Sequence, residues 1–160
     1  MELTYKKMGV GDLDLLAEVR AEVLRQANLL PEGTDMGDIR TRSYYYYDKA
    51  LRDGSHVAYL AFDGETVVGA GGVSFYQVMP TYHNPSGCKA YIMNMYTRPD
   101  HRRRGIARRT LDLLVKECRA RGVGFIALEA TAMGRPLYEQ YGFVAMPGEM
   151  LLPEEGGETP

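Results

Sequence analysis

Arg102-Arg103-Arg104-Gly105-Ile106-Ala107 joins a strand-like apolar run, Ala90 to Thr97, to a long amphipathic stretch, with Pro99 standing between them. A helix that starts here leaves backbone N–H groups without partners and carries the positive end of its dipole, which makes the junction an anion site. Gly105 lets an anion approach the backbone, Ala107 keeps the first turn narrow, and three arginines add side-chain charge. Taken alone, a basic glycine turn reads as solvated surface; its place between strand and helix turns the reading toward a phosphate cradle. Gly69-Ala70-Gly71-Gly72 does not compete, because it lies within a strand pattern and Ser74 stands where a dinucleotide fingerprint needs its third glycine. Walker A spacing is also absent.

Outward from this junction the chain alternates strands and helices. From Arg104 to Arg121 the apolar positions Ile106, Leu111, Leu113, Leu114, Val115 and Cys118 predict an amphipathic helix closed by Gly122. Gly124 to Leu128 is a short, almost wholly apolar run, as expected of a strand buried on both faces. A short helix from Arg135 to Tyr141 ends at Gly142, and Phe143-Val144-Ala145 with Glu149 to Leu152 can supply a closing strand pair. Upstream, Leu3 to Lys6 reads as a strand. Asp12 can cap a helix that ends near Asn28, and a second helix is expected from Asp38 to Leu51. Asp63-Gly64, flanked by Val57 to Phe62 and Thr66 to Gly69, predicts a hairpin. The order predicts an α/β (α+β) fold in one domain, residues 1–152, with residues 153–160 as a flexible C-terminal tail.

The totals narrow the function. The 160 residues carry a net charge of −2, with 45% hydrophobic and 25% charged residues, which is the composition of an ordinary soluble globule. Neither that charge nor any wider basic stripe suits a nucleic-acid partner. Cys88 and Cys118 have no second Cys or His at ligand spacing, so neither a metal site nor a disulfide framework is expected. The first residues lack the apolar core of a secretory signal, and no run of eighteen apolar residues occurs, so the expectation is a cytoplasmic protein without a membrane partner.

Two motifs together resemble a known family, the GNAT superfamily of acetyl-CoA-dependent N-acetyltransferases. Arg102-x-x-Gly105-x-Ala107 matches its Arg/Gln-x-x-Gly-x-Gly/Ala signature. About thirty residues on, Leu137-Tyr138-Glu139-Gln140-Tyr141-Gly142-Phe143 is similar to its second hallmark. The resemblance implies a mixed central sheet of about six to seven strands with about four helices, the fourth strand splaying from the fifth. It implies acetyl-CoA (coenzyme A) as cofactor. The pantetheine would lie along Met95, Tyr96 and Thr97, and the pyrophosphate against Arg102, Arg103, Arg104, Gly105, Ile106 and Ala107. A backbone N–H of the fourth strand would stabilise the oxyanion during amine attack. Tyr138 falls on the usual general acid, in contact with the coenzyme, and Thr131 lies near where many relatives carry Asn. No carboxylate stands in the fourth strand, so Tyr91 or Asn94 would have to act as base through water, and Glu129, at the end of the fifth, is the nearest acidic candidate.

The resemblance places the acceptor against the first two helices and the segment before the fourth strand. Ile39, Ser43, Tyr46, Tyr47 and Ala50 share one helical face, which assigns Tyr46 and Tyr47 to packing and sends Tyr44 and Tyr45 to a cleft. With Tyr82, His83 and Asn94 they suit the primary amine of a small molecule, through ring faces and hydroxyls. The alternative is a non-catalytic acyl-CoA-binding sensor or partner module. A homodimer is compatible with either reading.

Overall fold

The apolar run Val57 to Phe62 and the pair Asp63-Gly64 produce the hairpin they predict. β2 (His56–Asp63) and β3 (Thr66–Gln77) run antiparallel, and Gly64 takes the left-handed turn position at φ 62°. This computed structural model describes residues 2–156; of the expected tail, Gly157 to Pro160 lie outside the described residues. The chain divides into two compact units at Glu129/Ala130.

In the first unit β1 (Leu3–Lys7) lies on β2, and β3 on β4 (Cys88–Thr97), all antiparallel. β5 (Phe125–Leu128) pairs in parallel with β4, so the five strands stand in the order β1-β2-β3-β4-β5. The parallel pair needs a crossover, which α3 (Ile106–Ala120) provides. The buried residues of α3 recur at helical spacing, and its first turns seat on bare backbone of β3. A Cβ at Gly69 would lie 2.6 Å from Ile106, and one at Gly71 would lie 2.6 Å from Thr110. α1 (Leu13–Ala27) and α2 (Gly37–Asp53) contribute Leu13, Leu16 and Tyr47 to a core shared with Leu60, Phe62 and Ala70. Asp12 acts one step earlier than expected: its carboxylate accepts the Gly9 N–H at 2.9 Å in a 3-10 turn before α1.

Two details of β4 shape the site. Its pairing with β5 covers only Lys89 to Ile92, so β4 runs on from Met93 to Thr97 with β3 alone, the splay that was expected. Between the pairs Ala70↔Tyr96 and Gly72↔Met93, β4 carries one extra residue, and Asn94 there has φ 60°.

The second unit contains α4 (Arg135–Tyr141), closed by Gly142 at φ 123°. The strand count is therefore five among the described residues, fewer than expected, because Phe143 to Ala145 and Glu149 to Leu152 form no strand. Gly142 and Gly148, at φ 96°, interrupt the extended backbone, and Val144 and Met150 are 88% and 98% exposed, so no buried face rewards pairing. β5 also departs from expectation: it is half-buried throughout, an edge strand, and Lys89 lies over its Phe125 ring.

Candidate active site

Pro99 stops β4 and opens a 3-10 turn, Pro99–His101. The backbone then passes through Arg103 at φ 62° and Gly105 at φ 78°, which is the N-cap of α3. Among the described residues, its chain neighbours aside, no atom lies within 4 Å of a Cβ built on Gly105, so it is the left-handed backbone, not crowding, that favours glycine here. The first intrahelical bond runs from the Arg109 N–H to the Gly105 carbonyl at 3.0 Å. The Ile106 and Ala107 N–H groups therefore have no acceptor in their own helix. Arg102, Arg103 and Arg104 are exposed around this opening, whereas Ile106 is buried against Ala61 and Val68.

His101 ties the turn to the β2–β3 hairpin. Its Nε2 lies 3.0 Å from Asp63 Oδ2 and its Nδ1 2.7 Å from Asp100 Oδ1. Those two carboxylates, Asp63 first, raise its pKa.

A cradle of helix N–H groups and arginines, beside a strand whose edge lacks a β-partner beyond Ile92 among the described residues, is a fitting surface for a pyrophosphate with an extended amide-bearing arm. The sequence model of the acetyltransferase (GNAT) family matches residues 24–143. The chain belongs to this family. A predicted acetyltransferase from Clostridium acetobutylicum, solved with acetyl-CoA, is 32% identical, covers 94% of this chain and 96% of its own, and superposes with a TM-score of 0.86. A GCN5-related N-acetyltransferase from Ralstonia eutropha JMP134 is 27% identical, with coverage of 95% and 98% and a TM-score of 0.80. Among curated proteins, none matches the chain. The protein is thus an acyltransferase of GNAT type that uses acetyl-CoA. Among the described residues no helix is long and apolar enough to cross a membrane.

The residues expected along the coenzyme arm all fall on β4 beyond its last pair with β5. Met95 turns its sulfur toward Gly71, Tyr96 accepts a 3.2 Å hydrogen bond from Gln26 Nε2, and Thr97 pairs with Gly69. Glu129 follows β5 directly and is exposed, one residue past the Ile92↔Leu128 pair. In the second unit, Thr131 Oγ1 accepts the Gly134 N–H at 3.1 Å, fixing the approach to α4. Tyr138 is buried, edge-on to Phe143, and lies against Gly134, where a Cβ would come within 3.0 Å of its ring. Burial pushes its phenol pKa up.

The cavity on the side of α1 and α2 gathers Tyr46 and Tyr47, not the Tyr44 and Tyr45 that the helical face sends to a cleft. A cavity of about 320 Å³ opens between α1, α2 and the sheet, lined by Tyr46 and Tyr47 together with Asn94, His56, Ser74 and Arg20. Tyr44 packs on the core instead, and Tyr45, stacked edge-on against it, is 66% exposed. Tyr82 and His83 stack together on the exposed loop before β4, away from the lining. The four tyrosines do sweep a helical turn, but the face shared with Ser43 and Ala50 borders both core and cavity.

Arg20, His56 and Ser74 carry no local signal in the sequence. His56 opens β2 one residue before the apolar run, and only the register with Ser74 brings it into the cavity. Its Nδ1 is 2.9 Å from Tyr46 Oη and 3.1 Å from Ser74 Oγ, and the two hydroxyls are 2.7 Å apart. Its Nε2 is buried against Gly72 without a hydrogen-bond partner among the described residues. Burial, with the Arg20 charge adding to it, pushes His56 down to about 4, so the ring is neutral at physiological pH. Asn94, at the bulge, accepts from Arg20 at 3.0 Å and reaches toward the Tyr47 hydroxyl.

Proposed function

We propose that this protein transfers the acetyl group of acetyl-CoA to the primary amine of a small molecule held in the cavity, in the cytoplasm. One observation carries the reading. The cavity wall includes Met93 and Asn94, the residues with which β4 leaves β5, so an amine seated there faces the strand edge offered to the coenzyme arm. Acetyl-CoA supplies the thioester: a C–N bond forms as the C–S bond breaks, one proton leaves the amine and one reaches the thiolate.

The chain's own groups then have distinct tasks. The Ile106 and Ala107 N–H groups and the arginines of the turn hold phosphate charge, and Met95 to Thr97 orient the arm. Tyr138 serves as general acid on the strength of its place in the Leu137-Tyr138-Glu139 motif. A phenol is protonated at neutral pH, the form an acid needs, and burial moves the Tyr138 pKa further up. Glu129 is the proposed proton acceptor for the amine. The family match crosses Glu129, which supports reading residues 1–152 as one catalytic domain.

The test is thiol release from acetyl-CoA against a panel of small amines, amino acids, polyamines and peptides. Turnover with small amines supports the reading. A coenzyme-induced thermal shift without thiol release from any acceptor would replace it with the sensor reading. Tyr138→Phe is expected to slow turnover about a hundredfold while retaining the coenzyme shift; an unchanged chemical step removes Tyr138 from the acid role.

A further inference from the structure

The cavity carries a charge that acetyl transfer itself does not explain. Among the described residues its lining holds two arginines, Arg20 and Arg42, and no aspartate or glutamate. Arg42 is exposed on α2 and paired with Asp38 one turn away. Arg20 is half-buried, donates from Nη1 to the Asn94 amide oxygen, and has no carboxylate at ion-pair distance among the described residues. Burial lowers its pKa, the sign of a cation held partly out of water, with the neighbouring Tyr47 and Tyr46 working against that shift. Such a charge remains costly until an anion meets it, and the rest of the guanidinium fork has the geometry to hold one in two hydrogen bonds.

We propose that the acceptor is an amine that also bears an oxyanion, a carboxylate or a phosphate, which Arg20 holds while the amine faces Met93 and Asn94. The inference rests on the acetyl-transfer reading of the same cavity. The lining argues against the opposite class of acceptor. A polyamine would bring several ammonium groups to a wall with two arginines and no acid to receive them. Ser43, Tyr46 and Ser74 add neutral hydroxyls suited to an anion's remaining lone pairs, and the tyrosine rings with Ile39 cover a carbon skeleton.

The experiment compares matched acceptors in thiol release: β-alanine with propylamine, tyrosine with tyramine, and phosphoethanolamine with ethanolamine. Wild type, Arg20→Gln and Arg20→Lys are measured side by side. In at least one pair the anionic member should have kcat/KM about tenfold or more above its neutral partner, and the pair that shows it identifies carboxylate or phosphate. Arg20→Gln should raise KM for that acceptor about tenfold to a hundredfold with kcat nearly kept, with Arg20→Lys between the two. If Arg20 only braces Asn94, the Gln variant will instead lower kcat for neutral and anionic amines alike and weaken the coenzyme shift. That result, or preference for the neutral amine in every pair, overturns the proposal. If no amine releases thiol, the acetyl-transfer reading of the cavity fails separately. The anion anchor is then judged by titrating β-alanine and phosphoethanolamine in a thermal-shift assay. Stabilisation of wild type that is lost in Arg20→Gln upholds it, and equal shifts in both proteins, or none in either, reject it.

Discussion

The turn before α3 and the cavity beneath α1 and α2 both offer positive charge to a ligand, yet they are made in opposite ways. The turn is one contiguous stretch with its arginines exposed, and the helix start supplies N–H groups whatever side chains surround it. The cavity draws Arg20, Tyr47, His56, Ser74 and Asn94 from five separate elements, and of these Arg20 is half-buried and Tyr47 and His56 are buried. A site made of backbone tolerates changes of side chain but not of conformation. A site made of buried side chains is sensitive to each neighbour and to protons.

The sharpest way to break this contrast is at Gly105. Gly105→Glu places a bulky negative group where the helix N–H groups open. It is expected to abolish the acetyl-CoA thermal shift, weakening binding by at least about a hundredfold. Gly105→Ala separates backbone strain from charge, since nothing crowds its Cβ and only φ 78° opposes it. That strain costs roughly 1–3 kcal/mol of stability, with the coenzyme shift kept. A folded Glu variant with the wild-type shift would show that the cradle does not bind phosphate.

The same contrast explains what was legible in the sequence. The hairpin at Asp63-Gly64, the crossover helix and the turn at Gly105 are local, and each was readable from residues a few positions apart. The cavity depends on register. Tyr46 and Tyr47 occupy the face that periodicity marks as apolar, but that face is shared between core and cavity, which periodicity cannot divide. His56 enters through its cross-strand pairing with Ser74, and Arg20 through a contact with Asn94 that spans 74 positions. The expected closing strands do not form because the apolar residues of Phe143 to Ala145 and Glu149 to Leu152 have no buried face to pair on.

His56 offers the next largest effect. Unfolded, it titrates near 6.5; folded, it resists protonation down to about 4. Between those values the unfolded chain binds the extra proton, so this contribution to stability is present above about pH 6.5 and is lost as pH falls toward 4. The full loss is of the order of 3 kcal/mol. Thermal melts from pH 7 to pH 4 should fall less steeply in His56→Gln than in wild type, and parallel curves would mean that His56 is not held neutral by its surroundings.

Gly69 and Gly72 allow the two regions to be disturbed from one strand. A Cβ at Gly69 meets Ile106 at 2.6 Å, in the first turn of α3, whereas one at Gly72 meets His56 Nε2 at 2.6 Å. Each Ala substitution should cost about 1–3 kcal/mol by overpacking. Gly69→Ala should weaken the coenzyme shift, and Gly72→Ala should raise the acceptor KM with that shift unchanged. If both variants affect the same ligand, the two regions are not separable in the way their construction implies.

The smallest effect is expected at His101, where the turn borrows the chemistry of a side-chain site. The Asp63 and Asp100 carboxylates raise its folded pKa above 6.5, the reverse of His56. Here the folded protein binds the extra proton, so the contribution is fully present below about pH 6.5 and fades as pH rises through the raised value. His101→Gln and Asp63→Asn should therefore lower Tm more at pH 6 than at pH 9, the opposite trend from His56→Gln. Because the pair braces the turn against the hairpin, both variants should also weaken the coenzyme shift modestly at pH 6. A Tm difference that stays constant between pH 6 and pH 9 would mean that His101 is a neutral hydrogen-bonding strut, and that the cradle's shape does not depend on its charge.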